Sequence, residues 1–335
     1  MAKTFDPRRA LRLAACAAAL AIATQAMAQD APLPSWAEGA TRKAILDFVA
    51  AAAEDGGPGH IAPQDRIAVF DNDGTLWAEK PAYVQLAFAI DRVKALAPEH
   101  PEWKTAEPFA SILAGDMEKA MAGGKNGIAK IVAATHSGLS TGDFAKVVEE
   151  WIATARHPET GKLYTEMAYQ PMLELLAHLR ANGFRTFIVS GGGIDFMRVF
   201  AEKLYGVPPE QVVGSSGKLK FDIVDGQPVL LKTPELDFVD DGPGKPVGIQ
   251  MHVGRRPVAA FGNSDGDLEM LEYTCLPPGP NFCLFVHHTD AAREWAYDRQ
   301  SAVGTLDKGL DAAAQYGWTL ADMKNDWKAI WPPGP

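Results

Sequence analysis

Three cysteines among 335 residues are too few to staple a fold, which excludes a disulfide-built scaffold. There is no basic excess either. The 32 Lys and Arg face 42 Asp and Glu, a formal charge of −10, and no basic cluster stands out, so a nucleic acid is not an expected partner. Internal repeats and low-complexity tracts are missing apart from a general richness in alanine. Beyond the first thirty residues no stretch reaches the ~18 uninterrupted apolar residues of a membrane-spanning helix. What is there, 47% hydrophobic and 22% charged residues, is the composition of a globular chain with ample core, expected as two compact units.

The amino terminus stands apart. Lys3, Arg8, Arg9 and Arg12 precede an apolar stretch from Leu13 to Thr24 that ends in Ala26-Met27-Ala28. This reads as a secretory signal peptide over residues 1–28, cut after Ala28, and it predicts a secreted protein, destined for a bacterial periplasm by a route left open. Leu13-Ala14-Ala15-Cys16 has the look of a lipoprotein box but lies before the apolar run, so lipidation is not expected. Losing the leader would move the net charge from −10 to −13. Cys275 and Cys283 would remain, eight positions apart around a Pro-Pro-Gly-Pro turn. A disulfide and a pair of small buried apolar residues are both open readings.

Hydrophobic periodicity changes along the remainder. Ile67-Ala68-Val69-Phe70 is a short apolar run stopped by Asp71-Asn72-Asp73-Gly74-Thr75, the pattern of a buried strand and a tight loop. After Pro81, about ninety residues read as helical, with periodic segments at 82–97, 108–121 and 141–155. From Pro171 helix and strand alternate: helices at 172–182, 194–205, 247–253 and 267–273, strands at 185–189, 211–214, 258–261 and 282–287. A hairpin over 218–232 turns at Asp225-Gly226, and the tail from 307 to 331 reads as helix. Alternation of this kind predicts an α/β fold with a doubly wound parallel sheet.

Chemistry in such sheets gathers at the carboxyl ends of the strands. Here those ends deliver Asp71 and Asp73, then Ser190 with Gly191, Gly192 and Gly193, then Asn263, Ser264, Asp265 and Asp267. Hard oxygen donors of this type suit Mg²⁺.

The ordered set Asp71-Asn72-Asp73-Gly74-Thr75, Ser190, a lysine, and Gly262-Asn263-Ser264-Asp265-Gly266-Asp267 resembles the haloacid dehalogenase-like hydrolase superfamily, in its phosphatase, phosphoserine-phosphatase-like branch. The resemblance runs from about Arg66 to His288. It implies a core over 29–79 and 171–335 and an inserted, mostly helical cap over 80–170. It further implies a Mg²⁺-dependent phosphomonoester hydrolase acting on a small phosphorylated metabolite, with Asp71 as nucleophile forming an aspartyl-phosphate and Asp73 as general acid and base. Thr75, Ser190, Gly191 and Gly192 would contact substrate, and Asp71, Asp73, Asn263 and Asp267 would hold the metal. A phosphate dianion among these carboxylates demands more positive charge than one divalent ion provides, so a lysine should contribute. Lys245, in a Gly-Pro-Gly-Lys-Pro loop leading into a helix, is chosen over Lys232, which closes the hairpin.

One position departs from the family pattern: Asn263 stands where a metal-binding Asp is usual, bringing a carbonyl but no charge. The first loop is not a calcium loop, since Leu76 and Ala82 replace its required Gly and Glu. Trp77 is either core or a pocket wall facing the cap, and His287-His288 lack a third partner at metal spacing. Competing classes are a secreted phosphate- or metal-binding protein without catalysis, which Asn263 favours, and a phosphotransferase or dehalogenase of the same fold. The second aspartate, Asp73, argues against the dehalogenase. Nothing in the cap spells out a substrate, and no oligomeric state is implied.

Overall fold

Strand β1 (Ile67–Phe70) is apolar at all four positions because both of its faces are covered. Ala68 and Phe70 point into one apolar cluster, Ile67 and Val69 into another, so the central sheet separates two cores. The computed structural model describes residues 32–334; the expected leader over 1–28, with Cys16, lies outside the described residues.

The sheet has seven strands, continuing with β2 (Arg185–Gly193), β3 (Val212–Val224), β4 (Gln227–Phe238), β5 (Ala259–Gly262), β6 (Phe282–His287) and β7 (Thr319–Asp322). Their spatial order is β4-β3-β2-β1-β5-β6-β7, parallel throughout except for the β3/β4 pair. The chain winds outward from β1 through β2 and β3, then returns to place β5 on the other side of β1. That reversal opens a crevice at the carboxyl end of β1. Across it Phe70 pairs with Phe261, their rings stacked with centroids 4.4 Å apart.

Between β1 and β2 the chain carries helices and no named strand: Val84–Leu96, Phe109–Ala114, Met117–Met121, Gly124–His136 and Thr141–Ile152. They enclose an apolar cluster of their own around Val93, Trp103, Phe109 and Ile131. Among the described residues no helix is long and apolar enough to cross a membrane.

Several expected elements differ. The segment 108–121 is two helices, broken where Gly115 adopts a left-handed φ of 80° and Asp116 caps the next turn through Lys119 N. The segment 194–205 is likewise two short helices, interrupted at Val199-Phe200. The tail is not continuous helix. Gly317, at φ 70°, ends the helix Lys308–Tyr316, and the next residues pair with β6 as the edge strand β7. Helix Ala40–Ala53 was not anticipated, and it buries Ile45, Val49 and Ala52 at helical spacing; Gly124–His136 falls within the ninety residues expected to be helical but outside the three periodic segments. The hairpin turn falls at Asp225-Gly226, both with positive φ (50° and 76°), as a two-residue turn requires. Cys275 and Cys283 form a disulfide that ties the end of helix Leu268–Cys275 to β6.

Candidate active site

Asp71 is the first residue beyond β1, and its N–H donates to the Phe261 carbonyl of β5 at 2.9 Å, fixing it in the crevice. The loop that follows folds back on itself, with the Asn72 carbonyl accepting from the N–H groups of Thr75, Leu76 and Trp77. Gly74 is required here. Its φ is 75°, and a Cβ would lie 2.1 Å from Asn263 Nδ2. The indole Nε1 of Trp77 donates to Asp73 Oδ1 at 2.8 Å while its ring stacks on Phe200. Trp77 is therefore core and, through its N–H, an anchor for Asp73.

Lys245 is the decisive cation of this site. It enters on the first turn of helix Gly244–His252, buried, and its Nζ donates to Asp71 Oδ1 at 2.8 Å and to Asp267 Oδ1. Lys232 sits elsewhere, ion-paired with Asp195 and over the Phe144 ring. The other oxygen of Asp267 accepts from the N–H groups of Asn263 and Ser264 and from the Ser264 hydroxyl. Asp267 was expected among the metal ligands; with both oxygens engaged and no solvent exposure, it instead anchors Lys245 and the β5 loop. Asp265 points away, accepting from the N–H groups of Asp307 and Gly309.

Ser190, Gly191 and Gly192 reach the same cavity, of about 270 Å³, that Asp71, Asp73 and Lys245 line. The glycines do not lead into a long helix as expected. They extend β2 irregularly to Gly193, and Gly192 N–H donates to Ser190 Oγ at 3.3 Å. Thr75 is the other departure: fully buried, its hydroxyl donates to Asn263 Oδ1 at 3.0 Å, so it orients Asn263 and does not face the cavity.

Two further residues complete the floor: Glu79, which carries no local signal, and His288, which ends the last expected strand near the site edge. Glu79 is buried and accepts at Oε1 from Asn263 Nδ2 at 2.7 Å and from the Tyr297 hydroxyl at 2.8 Å. It sets a carboxyl group beside Asn263, whose own side chain is an amide. His288 Nε2 donates to the Gly74 carbonyl at 2.8 Å, bracing the first loop from β6. Neither role is written in the first loop itself, because both partners arrive from distant elements.

Charge density sets the electrostatics. Burial, with Asp267 nearby, pushes Asp71 up to about 8 although Lys245 pulls the other way. Burial pushes Asp73 up to about 6, held down in part by the Trp77 hydrogen bond, and it drives Glu79 well above the usual carboxylate range. Burial alone would lower Lys245, yet Asp267 and Asp71 outweigh it and hold the ammonium above its ordinary range.

The family model for haloacid dehalogenase-like hydrolases matches residues 68–272, more than half of the chain and spanning every residue of the floor except Tyr297 and His288. The chain belongs to the haloacid dehalogenase-like hydrolases. No curated protein matches it. Among solved structures, a protein of unknown function from Anaerococcus prevotii is similar at 16% identity, covering 83% of this chain and 90% of its own, with a TM-score of 0.52. A protein of unknown function from Bordetella pertussis shares 15% identity over 77% of this chain and 98% of its own, at 0.47. A phosphoserine phosphohydrolase-like protein from Francisella tularensis shares 15% over 75% and 98%, at 0.39. The first of these likenesses shows the fold.

The dehalogenase-like site fits a divalent cation by its donors. Asp71, Asp73 and the side-chain carbonyl of Asn263 are hard oxygens, and among the described residues nothing donates to Asp71 Oδ2. Asp71, Asp73, Glu79 and Asp267 surround a single lysine, leaving negative charge that a cation would balance.

Proposed function

We propose that this haloacid dehalogenase-like hydrolase is an exported, Mg²⁺-dependent phosphomonoesterase working through an aspartyl-phosphate on Asp71. One observation carries the reading: an Asp71 carboxyl held at Oδ1 by Lys245, with no donor to Oδ2 among the described residues, beside a cavity that Ser190, Gly191 and Gly192 also line. Asp71, Asp73 and Asn263 would hold the ion, whose chemistry there is neutralisation of charge between carboxylate and phosphoryl oxygens.

This chain's own groups account for the remaining steps. Oδ2 of Asp71 attacks phosphorus, forming the O–P bond as the ester P–O bond breaks. Ser190 Oγ and the Gly191 and Gly192 backbone hold phosphoryl oxygens, and Lys245 neutralises the developing charge. Asp73, raised by burial to about 6, takes up a proton more readily than a free carboxylate, gives it to the departing alkoxide and later takes one from the water that hydrolyses the acyl phosphate. Trp77 keeps Asp73 pointed at that exchange. Asp267 and Glu79 position Lys245 and Asn263 respectively. Export is supported by the leader sequence and agrees with a disulfide at Cys275–Cys283, which persists in an oxidising compartment.

Turnover of p-nitrophenyl phosphate with Mg²⁺ tests the proposal. Activity should vanish with EDTA and return with added Mg²⁺, and Asp71→Asn should lower kcat by about four orders of magnitude at unchanged circular dichroism. An Asp71→Asn enzyme within tenfold of wild type would reject covalent catalysis.

A further inference from the structure

The wall opposite the phosphate end of the cavity is of a different chemistry. Helices Val84–Leu96 and Gly124–His136 supply Leu86, Ala89, Ile128, Ile131 and Val132 to it, and Ile128 leaves 44% of its surface exposed although it is aliphatic. A second cavity of about 300 Å³ adjoins the first; Gln85, Ile128, Val132 and Asp241 line both. Phe144 and Phe196 add aromatic surface to it.

Among the described residues the two cavities hold two lysines, and neither is free. Lys245 is committed to Asp71 and Asp267, and Lys232 to Asp195. His136, which also lines the second cavity, is neutral because burial and the neighbouring Lys232 push it down to about 3. Among the described residues a leaving group bearing a carboxylate would find no unpaired cation in the lining, and Asp241 and Glu235 would repel it.

We infer that the substrate is a phosphomonoester of an uncharged alcohol with a hydrocarbon or aromatic body, lying from Asp71 past Ile128 and Val132 toward Phe144 and Phe196. This rests on the phosphatase reading above and adds the class of leaving group to it. Apolar area removed from water against these side chains lowers the barrier for longer alcohols, whereas a charged alcohol would exchange hydration for apolar walls.

Steady-state kinetics of the full chain with Mg²⁺ on methyl, n-butyl and n-hexyl phosphate, O-phosphoserine and phosphocholine make the test. The value of kcat/KM should rise about threefold per methylene from methyl to hexyl, and hexyl phosphate should exceed O-phosphoserine by at least ~100-fold. Val132→Glu should cut the hexyl-to-methyl ratio by at least ~10-fold. A flat profile with chain length, a preference for O-phosphoserine or phosphocholine over butyl phosphate, or an unchanged ratio in Val132→Glu would overturn the inference while leaving the phosphatase intact. Hydrolysis of none of the five esters would overturn the phosphatase reading and this inference with it.

Discussion

On the strand side of the cavity, Asp71, Asp73, Lys245, Asn263 and Asp267 each carry a hydrogen bond to a buried neighbour. On the helix side, the roof of the two adjoining cavities, Ile128, Leu86 and Val132 make none with their side chains and are only partly covered. The first arrangement fixes reacting groups to fractions of an ångström, as proton and phosphoryl transfer demand. The second tolerates exchange of one aliphatic group for another, since apolar contact is non-directional. On the proposed function, reaction type and substrate choice would therefore be held by different elements with different tolerance to change.

The sharpest way to break the contrast is to remove a floor residue and compare it with its nearest counterpart by the roof. Lys245→Met leaves Asp71 and Asp267 buried without their shared cation, so Asp71 should hold its proton still more tightly than in the wild type and lose nucleophilicity. The expected fall in kcat on p-nitrophenyl phosphate is about 10³-fold. Lys232→Met, which frees only Asp195 in the second cavity, should cost less than about tenfold. Equal losses would mean that the two lysines do the same work and that the floor and roof are not distinct.

A smaller effect probes the support behind the floor. Glu79→Gln keeps the volume but removes the carboxyl that faces Asn263, and it offers an amide where Oε1 accepts from Asn263 Nδ2 and Tyr297. Loss of such an orienting partner weakens metal affinity by roughly 10- to 100-fold. Calorimetric titration of Mg²⁺ into the variant and the wild-type chain measures it directly, independently of turnover. Unchanged affinity would remove Glu79 from the site's charge balance.

How much of this was readable in advance follows the same division. The residues ending β1, β2 and β5 were legible because an apolar run stopped by polar residues locates a strand end, and a parallel sheet gathers strand ends at one edge. Lys245 was legible for a similar reason, its Gly-Pro-Gly loop lying at the mouth of the next helix. The tasks of Thr75 and Asp267 were not. Both side chains are polar and close to the chemistry, and only the tertiary packing decides that one turns into Asn263 and the other closes on Lys245. Glu79 carried no motif, because it acts on a loop it is not part of, whereas His288 was legible as a strand-end residue near the site edge but not as the partner of the Gly74 carbonyl. The edge strand β7 was misread as helix because four residues are too few to display a period of two.

The mildest test of the comparison is its dependence on pH, which should have opposite signs at floor and roof. Asp71 and Asp73 are raised by burial, to about 8 and about 6, so the folded floor binds protons more readily than the unfolded chain and loses stability as pH rises above the unfolded carboxylate range. His136 behaves inversely. Burial, with Lys232 and Arg92 adding repulsion and Asp195 opposing it, pushes its imidazole down to about 3, whereas in the unfolded chain it titrates near 6.5. Its share of stability is complete above about pH 7 and is lost as pH falls toward 3, at up to ~1.4 kcal/mol per pH unit. Between pH 7 and pH 6 the loss should be about 0.7 kcal/mol. His136→Phe keeps an aromatic ring against Phe88 and Phe144 and abolishes the titration, so urea unfolding at the two pH values should show that increment missing from the variant while the floor's contribution cancels. An identical pH dependence in both proteins would mean that the imidazole is not neutral in the folded roof, and the absence of free positive charge around the second cavity would no longer hold.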